Sequence, residues 1–362
     1  MVNKKNFYFI LHFCFLSMFI TRLTYSKYIS NVWFGFEFKG GYDNNILDKS
    51  YILSELYSIS DAYSGLEFLF KSYLKLGNLP LSWFDYQFTT KKYMNDYYQD
   101  NNQHYFNYKL FHKLGDEIGD SQLNISYIIY DQPDWKIYSF NNFSIQPELK
   151  FYLSDYDTLK INYLYSYNNY PDYYLDLYSN NIGFEFTHEL GIFTTIGLNT
   201  IYDYRIYPEK FLLISSTTFS SEQFKGYKYD IEPIFSYWFP KGQLDLSYCF
   251  TVYDINGNYY EDNELISDYY DYISHKIGFY PRYEFTKNYR IWAEFSCQWT
   301  KFTYKREDTK YIYGLNLFYP IIKFGMQELK LKCNLYFENN KSTKVYYNYE
   351  NSNFAISLVS WF

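Results

Sequence analysis

From about residue 32 to the end of the chain, apolar and polar side chains alternate in runs of ten to fourteen residues, each closed by a turn. Successive side chains of an extended chain point to opposite faces, so this period of two predicts strands with one face in oil or a core and the other in water. Between Gln243 and Asp254, Leu244, Leu246, Tyr248, Phe250 and Val252 hold one phase, and Gln243, Asp245, Ser247, Cys249 and Thr251 the other. Leu329, Leu331, Cys333, Leu335 and Phe337 oppose Glu328, Lys330, Lys332, Asn334 and Glu338 in the same way. Leu159, Ile161, Tyr163 and Tyr165 oppose Lys160, Asn162 and Ser166. Charges fall almost entirely on the second phase.

The pattern predicts about sixteen strands (14–18), near 31–41, 62–75, 81–90, 104–113, 121–131, 142–153, 157–168, 178–189, 192–205, 226–239, 242–254, 272–285, 289–303, 309–320, 326–338 and 353–362. Short connections such as 77–80, 115–119, 190–191, 240–241 and 286–288 alternate with longer polar ones at 42–61, 91–103, 206–225, 255–271 and 339–352. Short turns at one end and long loops at the other are the asymmetry of a transmembrane antiparallel up-and-down β-barrel. A soluble sandwich also alternates. Its strands, however, average five or six residues, and one core seldom takes sixteen of them. The runs here are long enough for a tilted strand to cross about 25 Å of hydrocarbon. With no composition break, linker or separate plug, and no loop long enough to fold into one, the all-β fold is expected as a single domain over residues 27–362.

Residues 1–26 read as a signal peptide. Lys4 and Lys5 precede an apolar run from Phe7 to Ile20, and a polar stretch ends at Thr24, Tyr25 and Ser26. The run contains His12 and falls short of the roughly twenty apolar residues of a spanning helix. Without it, Lys plus Arg drops from 33 to 30 against 40 acidic residues, so no nucleic-acid partner is expected. A codon-biased genome accounts for 50 Tyr and 35 Phe, but not for their phasing. Cys249, Cys297 and Cys333 are an odd number with no CxxC or Cys/His spacing, so neither a disulfide framework, a metal nor a cofactor is expected.

The last run places Phe354, Ile356, Leu358 and Phe362 on one phase, interrupted by Ser360. Its terminal aromatic resembles the signal read by bacterial barrel-assembly machinery, which implies that machinery as a partner and Phe362 as its mark. A second motif joins Ile145, Pro147, Glu148, Lys150 and Tyr152, and is echoed around Pro233 and around Pro281, Arg282 and Glu284. It resembles the porin family that includes outer-membrane protein G and the oligogalacturonate-specific porins. That resemblance implies the outer membrane of a diderm bacterium. In a closed barrel no edge strand can hide a missing N–H, so each of these prolines is expected at a bulge or bend.

Catalysis is not expected. His104, His112, His188 and His275 lie in or beside strands, and no Gly-x-Ser-x-Gly, HExxH or Gly-rich phosphate loop accompanies them. If lipid takes the apolar phase, the other phase lines water, since Arg or Lys at the bilayer midplane costs about 2–4 kcal/mol. The candidate selectivity residues on that wall are Lys276, Arg282, Glu284, Arg290, Glu294, Lys330 and Lys332. A symmetric turn at Lys287 would set Glu284 directly across from Arg290. Sixteen strands leave an aqueous channel, so the expected function is passive diffusion of small hydrophilic solutes, with both termini on the periplasmic side. One alternative is a channel selective for an oligosaccharide or an anionic solute, suggested by lumen-phase Trp238, Tyr280 and Trp292 and by the basic residues between 276 and 332. The other is a barrel enzyme or surface-binding protein acting through its loops. A subunit interface and a lipid-facing wall are both apolar, so the pattern accommodates a homo-oligomer as well as a monomer.

Overall fold

Alternating strands form a membrane wall only when every backbone group finds a partner, which requires the last strand to meet the first. The computed structural model describes residues 29–43, 61–74, 81–95, 99–115, 117–172, 175–215, 217–261, 264–286, 289–324, 327–344 and 347–361. Its strands are β1 (Ile29–Asp43), β2 (Asp61–Leu74), β3 (Leu81–Tyr93), β4 (Asn101–Gly115), β5 (Gly119–Asp131), β6 (Phe140–Tyr152), β7 (Asp157–Asn169), β8 (Leu177–Gly191) and β9 (Thr194–Leu213). They continue as β10 (Phe219–Phe239), β11 (Gly242–Ile255), β12 (Tyr259–Glu261), β13 (Glu264–Ile266), β14 (Tyr272–Thr286), β15 (Tyr289–Phe302), β16 (Glu307–Phe324), β17 (Gln327–Ser342) and β18 (Tyr349–Trp361). All but β12 and β13 pair antiparallel with their neighbours, and β1 closes on β18 through Glu37 opposite Val359 and Lys39 opposite Ser357. The result is a closed barrel of sixteen strands. The pair β12–β13 forms a separate small hairpin within one connection. The signal segment 1–26, the terminal Phe362 and most of the expected loop 42–61 lie outside the described residues.

Each expected strand is present. The expected loop 206–225 is not, because β9 and β10 run on for 20 and 21 residues and raise the wall there. Irregular pairing conceals this extension in the sequence: Tyr207 faces Phe224 while Phe211 faces Gln223, so Pro208, Glu209 and Lys210 bulge out and break the alternation.

The two phases face as the pattern requires. Glu37 is 7% exposed and its neighbour Phe38 is 61% exposed, since neighbouring wall side chains crowd the inside and none of the described residues covers the outside there. On β17 the outward residues run from Leu329 to Phe337, above which Asn339 and Lys341 take the same phase. Nine residues at about 3.3 Å each, tilted by about 40°, rise about 23 Å, close to the apolar band of a membrane barrel.

The prolines depart from expectation. Pro147, Pro233 and Pro281 keep one ladder intact, opposite Leu123, Leu198 and Leu244. On the other side two rungs are missing, and the register resumes unshifted: Ile145 faces Tyr165 and Glu148 still faces Asn162. The same holds between Ile231–Phe250 and Ile234–Ser247, and between Phe279–Phe295 and Arg282–Trp292. No residue is inserted, so these are open rungs left by a missing N–H rather than bulges. Among the prolines, it is Pro208 and Pro320 that stand at or next to bulges.

Candidate lumen and outer mouth

Direct cross-strand partners share a face, so the register alone places Lys276, Arg282, Glu284, Arg290, Glu294, Lys330 and Lys332 on the inner wall. Glu284 stands opposite Arg290, although the register slips below it, where Thr286 pairs with Tyr289 instead of continuing a turn symmetric at Lys287, and its Oε1 accepts from Arg290 Nε at 2.7 Å. Arg282 lies 3.7 Å from Asp245, Lys276 3.9 Å from Glu294, and Lys332 3.7 Å from Glu37. Elsewhere Lys160 sits 3.3 Å from both Glu148 and Glu185, and Lys310 lies 2.5 Å from Glu338. Lys330 faces Val359 in the same row, while the side chain of Glu328 lies outside the described ones. Within the cationic stretch read from the sequence, Lys276, Arg282, Arg290 and Lys332 are therefore matched by carboxylates on neighbouring strands. Each solvated pair adds only about 0–1 kcal/mol of stability. Their larger effect is to cancel the field across the bore. Between the pairs the wall is hydroxyl and amide, as in Ser126–Ser144 at 2.6 Å and Gln298–Ser274 at 2.8 Å.

The four histidines take the outward phase. His104 meets the Tyr86 hydroxyl at 3.0 Å, His275 the Tyr248 hydroxyl at 2.7 Å and His188 the Asp157 carboxylate at 2.7 Å, while His112 is opposite Ser121. None is placed to act on a solute in the lumen. Among the described residues no group of three or more His, Cys, Asp or Glu side chains is arranged to hold a metal. The three cysteines among the described residues are free thiols: Cys249 faces inward opposite Lys276, and Cys297 and Cys333 face outward.

Trp238, Tyr280 and Trp292 take the inner phase, with Trp292 opposite Arg282 and 5.0 Å from the Phe318 ring. A second set of inward aromatics lies at the opposite, long-loop end: Tyr63, Tyr93, Tyr130, Phe140, Tyr207, Phe224, Tyr253 and Tyr272. Their signal in the sequence is an inversion of phase. Lys92, Asp131, Asn141 and Asp254 occupy the formerly apolar face next to inward Tyr93, Tyr130, Phe140 and Tyr253. Where a strand leaves oil, its outer face meets water and its rings turn inward.

Across part of this mouth lies the acidic connection 255–271 with its hairpin β12–β13. It is no plug, yet it is folded. Asn258 Nδ2 donates to the Leu213 carbonyl at 3.1 Å on one side, and the hydroxyls of Tyr269 and Tyr347 meet at 3.4 Å on the other. Gly257 rests against Phe224 and Tyr270, whose rings a Cβ there would overlap. Asp271 fastens the base: its Oδ1 accepts from Ile255 N at 2.7 Å, and its carbonyl accepts from Thr303 N at 2.9 Å.

Burial, aided by Asp254 and Asp268, pushes the Asp271 carboxyl up to about 6, against the opposing Ile255 N–H bond. Because the folded value is raised, the stability linked to this group is full below the unfolded value of about 3.9 and is lost as pH rises through about 6. Exchange protection of the Thr303 amide, corrected for intrinsic rate, is expected to rise between pH 7.5 and 5. An equal rise in Asp271→Asn would remove Asp271 as the cause.

The sequence matches no protein-family model and no curated protein. Among solved structures the fold is similar to OccAB1 of Acinetobacter baumannii, with a TM-score of 0.52 at 9% identity over 94% of this chain and 98% of that one. It is also similar to a bacterial polysaccharide outer-membrane secretin, with a TM-score of 0.50 at 7% identity over 91% of this chain and 97% of that one. At such identities the likeness is one of fold: an outer-membrane β-barrel.

Proposed function

We propose that this chain is a porin of a diderm outer membrane, admitting small hydrophilic solutes by passive diffusion through the barrel. The carrying observation is the two-faced wall: a closed sixteen-strand ring with an apolar outer band and an inner surface of charge-matched and hydroxylic side chains. Charged and hydroxylic side chains let water wet the inside, and lipid wets the outside. Assembly would proceed through the barrel-assembly machinery reading Phe362. The cancelled charges favour weak ion preference over the anion-selective alternative. The inward aromatics favour the oligosaccharide one.

Cys249 supplies a native test, since it is the inward thiol among the three described cysteines. Purified protein in a planar bilayer is expected to open ionic channels whose conductance falls when a bulky charged methanethiosulfonate reagent is added. Cys249→Ser channels are expected to open normally and to ignore the reagent. Protein that inserts but never conducts, or current lost equally in the serine variant, would refute this reading.

A further inference from the structure

The inward aromatics on β9, β10, β11 and β14 form one panel whose rows follow from the register. Tyr207 faces Phe224 at the top, with ring centroids 5.7 Å apart. Arg205, Gly226 and Ile255 make the next row. Below them run Asp203, Lys228, Tyr253 and Tyr272, the last two with centroids 5.1 Å apart. Gly226 has no side chain, and the Tyr253 hydroxyl lies 3.1 Å from where its Cβ would stand, so Tyr253 leans across β10. Phe224 is buried as the floor, held by Gly257 and by the Lys210 ammonium 4.3 Å from its centroid. The rings of Tyr207, Tyr253, Tyr270 and Tyr272 stay half-buried.

The charges beside these rings are already matched. Arg205 Nε donates to Asp203 at 2.7 Å, and the other Asp203 oxygen accepts from Ser179 at 2.6 Å. Lys228 donates to Asp230 at 2.6 Å, whose second oxygen accepts from Thr251 at 2.6 Å. An anion would find Arg205 and Lys228 engaged by carboxylates and Lys210 seated against the rings of Tyr207, Phe224 and Tyr270, and a cation would find Asp203 and Asp230 doubly bonded. What remains is ring faces, phenol hydroxyls and the spare N–H groups of Arg205 and Lys228. That set suits a molecule with flat C–H faces and many hydroxyls.

We propose that this panel is an entry subsite for a neutral saccharide chain, with Tyr253 and Tyr272 carrying a sugar face and the Arg205–Asp203 pair bracketing its hydroxyls. The proposal rests on the channel reading and names the solute class of that channel. The panel lies beneath Gly257 and Tyr270 of the mouth connection, so a chain entering from outside meets it first on this side of the barrel.

Single channels exposed to maltohexaose test it, with an acidic oligogalacturonate and a polyethylene glycol of similar size as comparators. Maltohexaose is expected to interrupt the current at lower concentration than either comparator. Tyr253→Ala and Tyr272→Ala are each expected to raise its half-blocking concentration about 2- to 12-fold, the range for one aromatic contact. Tyr253→Phe and Tyr272→Phe are expected to retain most of the block. A bracing role alone would move the sugar-free conductance and leave the half-blocking concentration in place. Where an alanine variant does not insert, Tyr253→Leu or Tyr272→Leu keeps bulk without a ring and carries the same expectation. Channels that open without interruption by maltohexaose, or that all three polymers block alike, overturn the saccharide proposal while the porin reading stands. Protein that forms no channel overturns both.

Discussion

In a tenfold salt gradient, channels carrying Asp245→Asn, Glu284→Gln and Glu294→Gln together are expected to become anion-preferring, whereas the unaltered protein shows a reversal potential near zero. Each of these carboxylates faces one cation: Arg282, Arg290 and Lys276 respectively. Amides of the same shape keep the wall wet and remove three negative charges, leaving three positive ones on adjacent strands β14 and β15. The Debye length is about 10 Å at 0.1 M salt, so these charges act together on an ion passing beside them. A shift of about 20 mV toward the chloride potential is expected, a third of the roughly 59 mV that a tenfold gradient sets for a monovalent ion. An unchanged reversal potential would mean that these side chains do not face the conducting path.

The larger effect on stability is expected from Ile277→Lys. Ile277 is 50% exposed on the outer face, opposite Tyr248 and Cys297, and its chain neighbour Lys276 is a cation on the inner face. Moving a positive charge by one residue therefore carries it from water into hydrocarbon. The cost is about 2–4 kcal/mol near the bilayer midplane, read as a lowered urea midpoint for unfolding from lipid vesicles, with Ile277→Leu as the control. Equal midpoints for the two variants would show that the outward band is not in oil.

Most of the wall was legible in the sequence because a strand's period of two couples face to parity: one residue assigned to lipid assigns its whole strand. Glu284 and Arg290 could be paired because they flank one short turn, even though the register slips between Glu284 and Thr286. The compensation of Arg282 by Asp245 and of Lys332 by Glu37 was not legible. Those partners lie 37 and 295 positions apart in the chain, and only ring closure and register bring them together. The extension of β9 and β10 was hidden by the bulge at Pro208, which resets the alternation the reading depends on. The inward aromatics of the mouth were visible only as an inversion: Asp254 in an apolar slot and Tyr253 in a polar one look like noise until the membrane edge is located.

The open rungs beside Pro147, Pro233 and Pro281 bear on the mechanics of the ring. All three lie on strands heading toward short turns, a few residues from the end, so they sit in one low tier of the wall. Each hydrogen bond absent from a ladder removes about 0.5–1.5 kcal/mol of stiffening, and here the loss is spread over three seams instead of gathered in one. When the surrounding bilayer thins or thickens, the hoop yields first at these joints, and Gln146, Glu232 and Tyr280, which line the inside beside them, shift with it. The short-turn end of the tube is thus expected to be compliant at three separate seams.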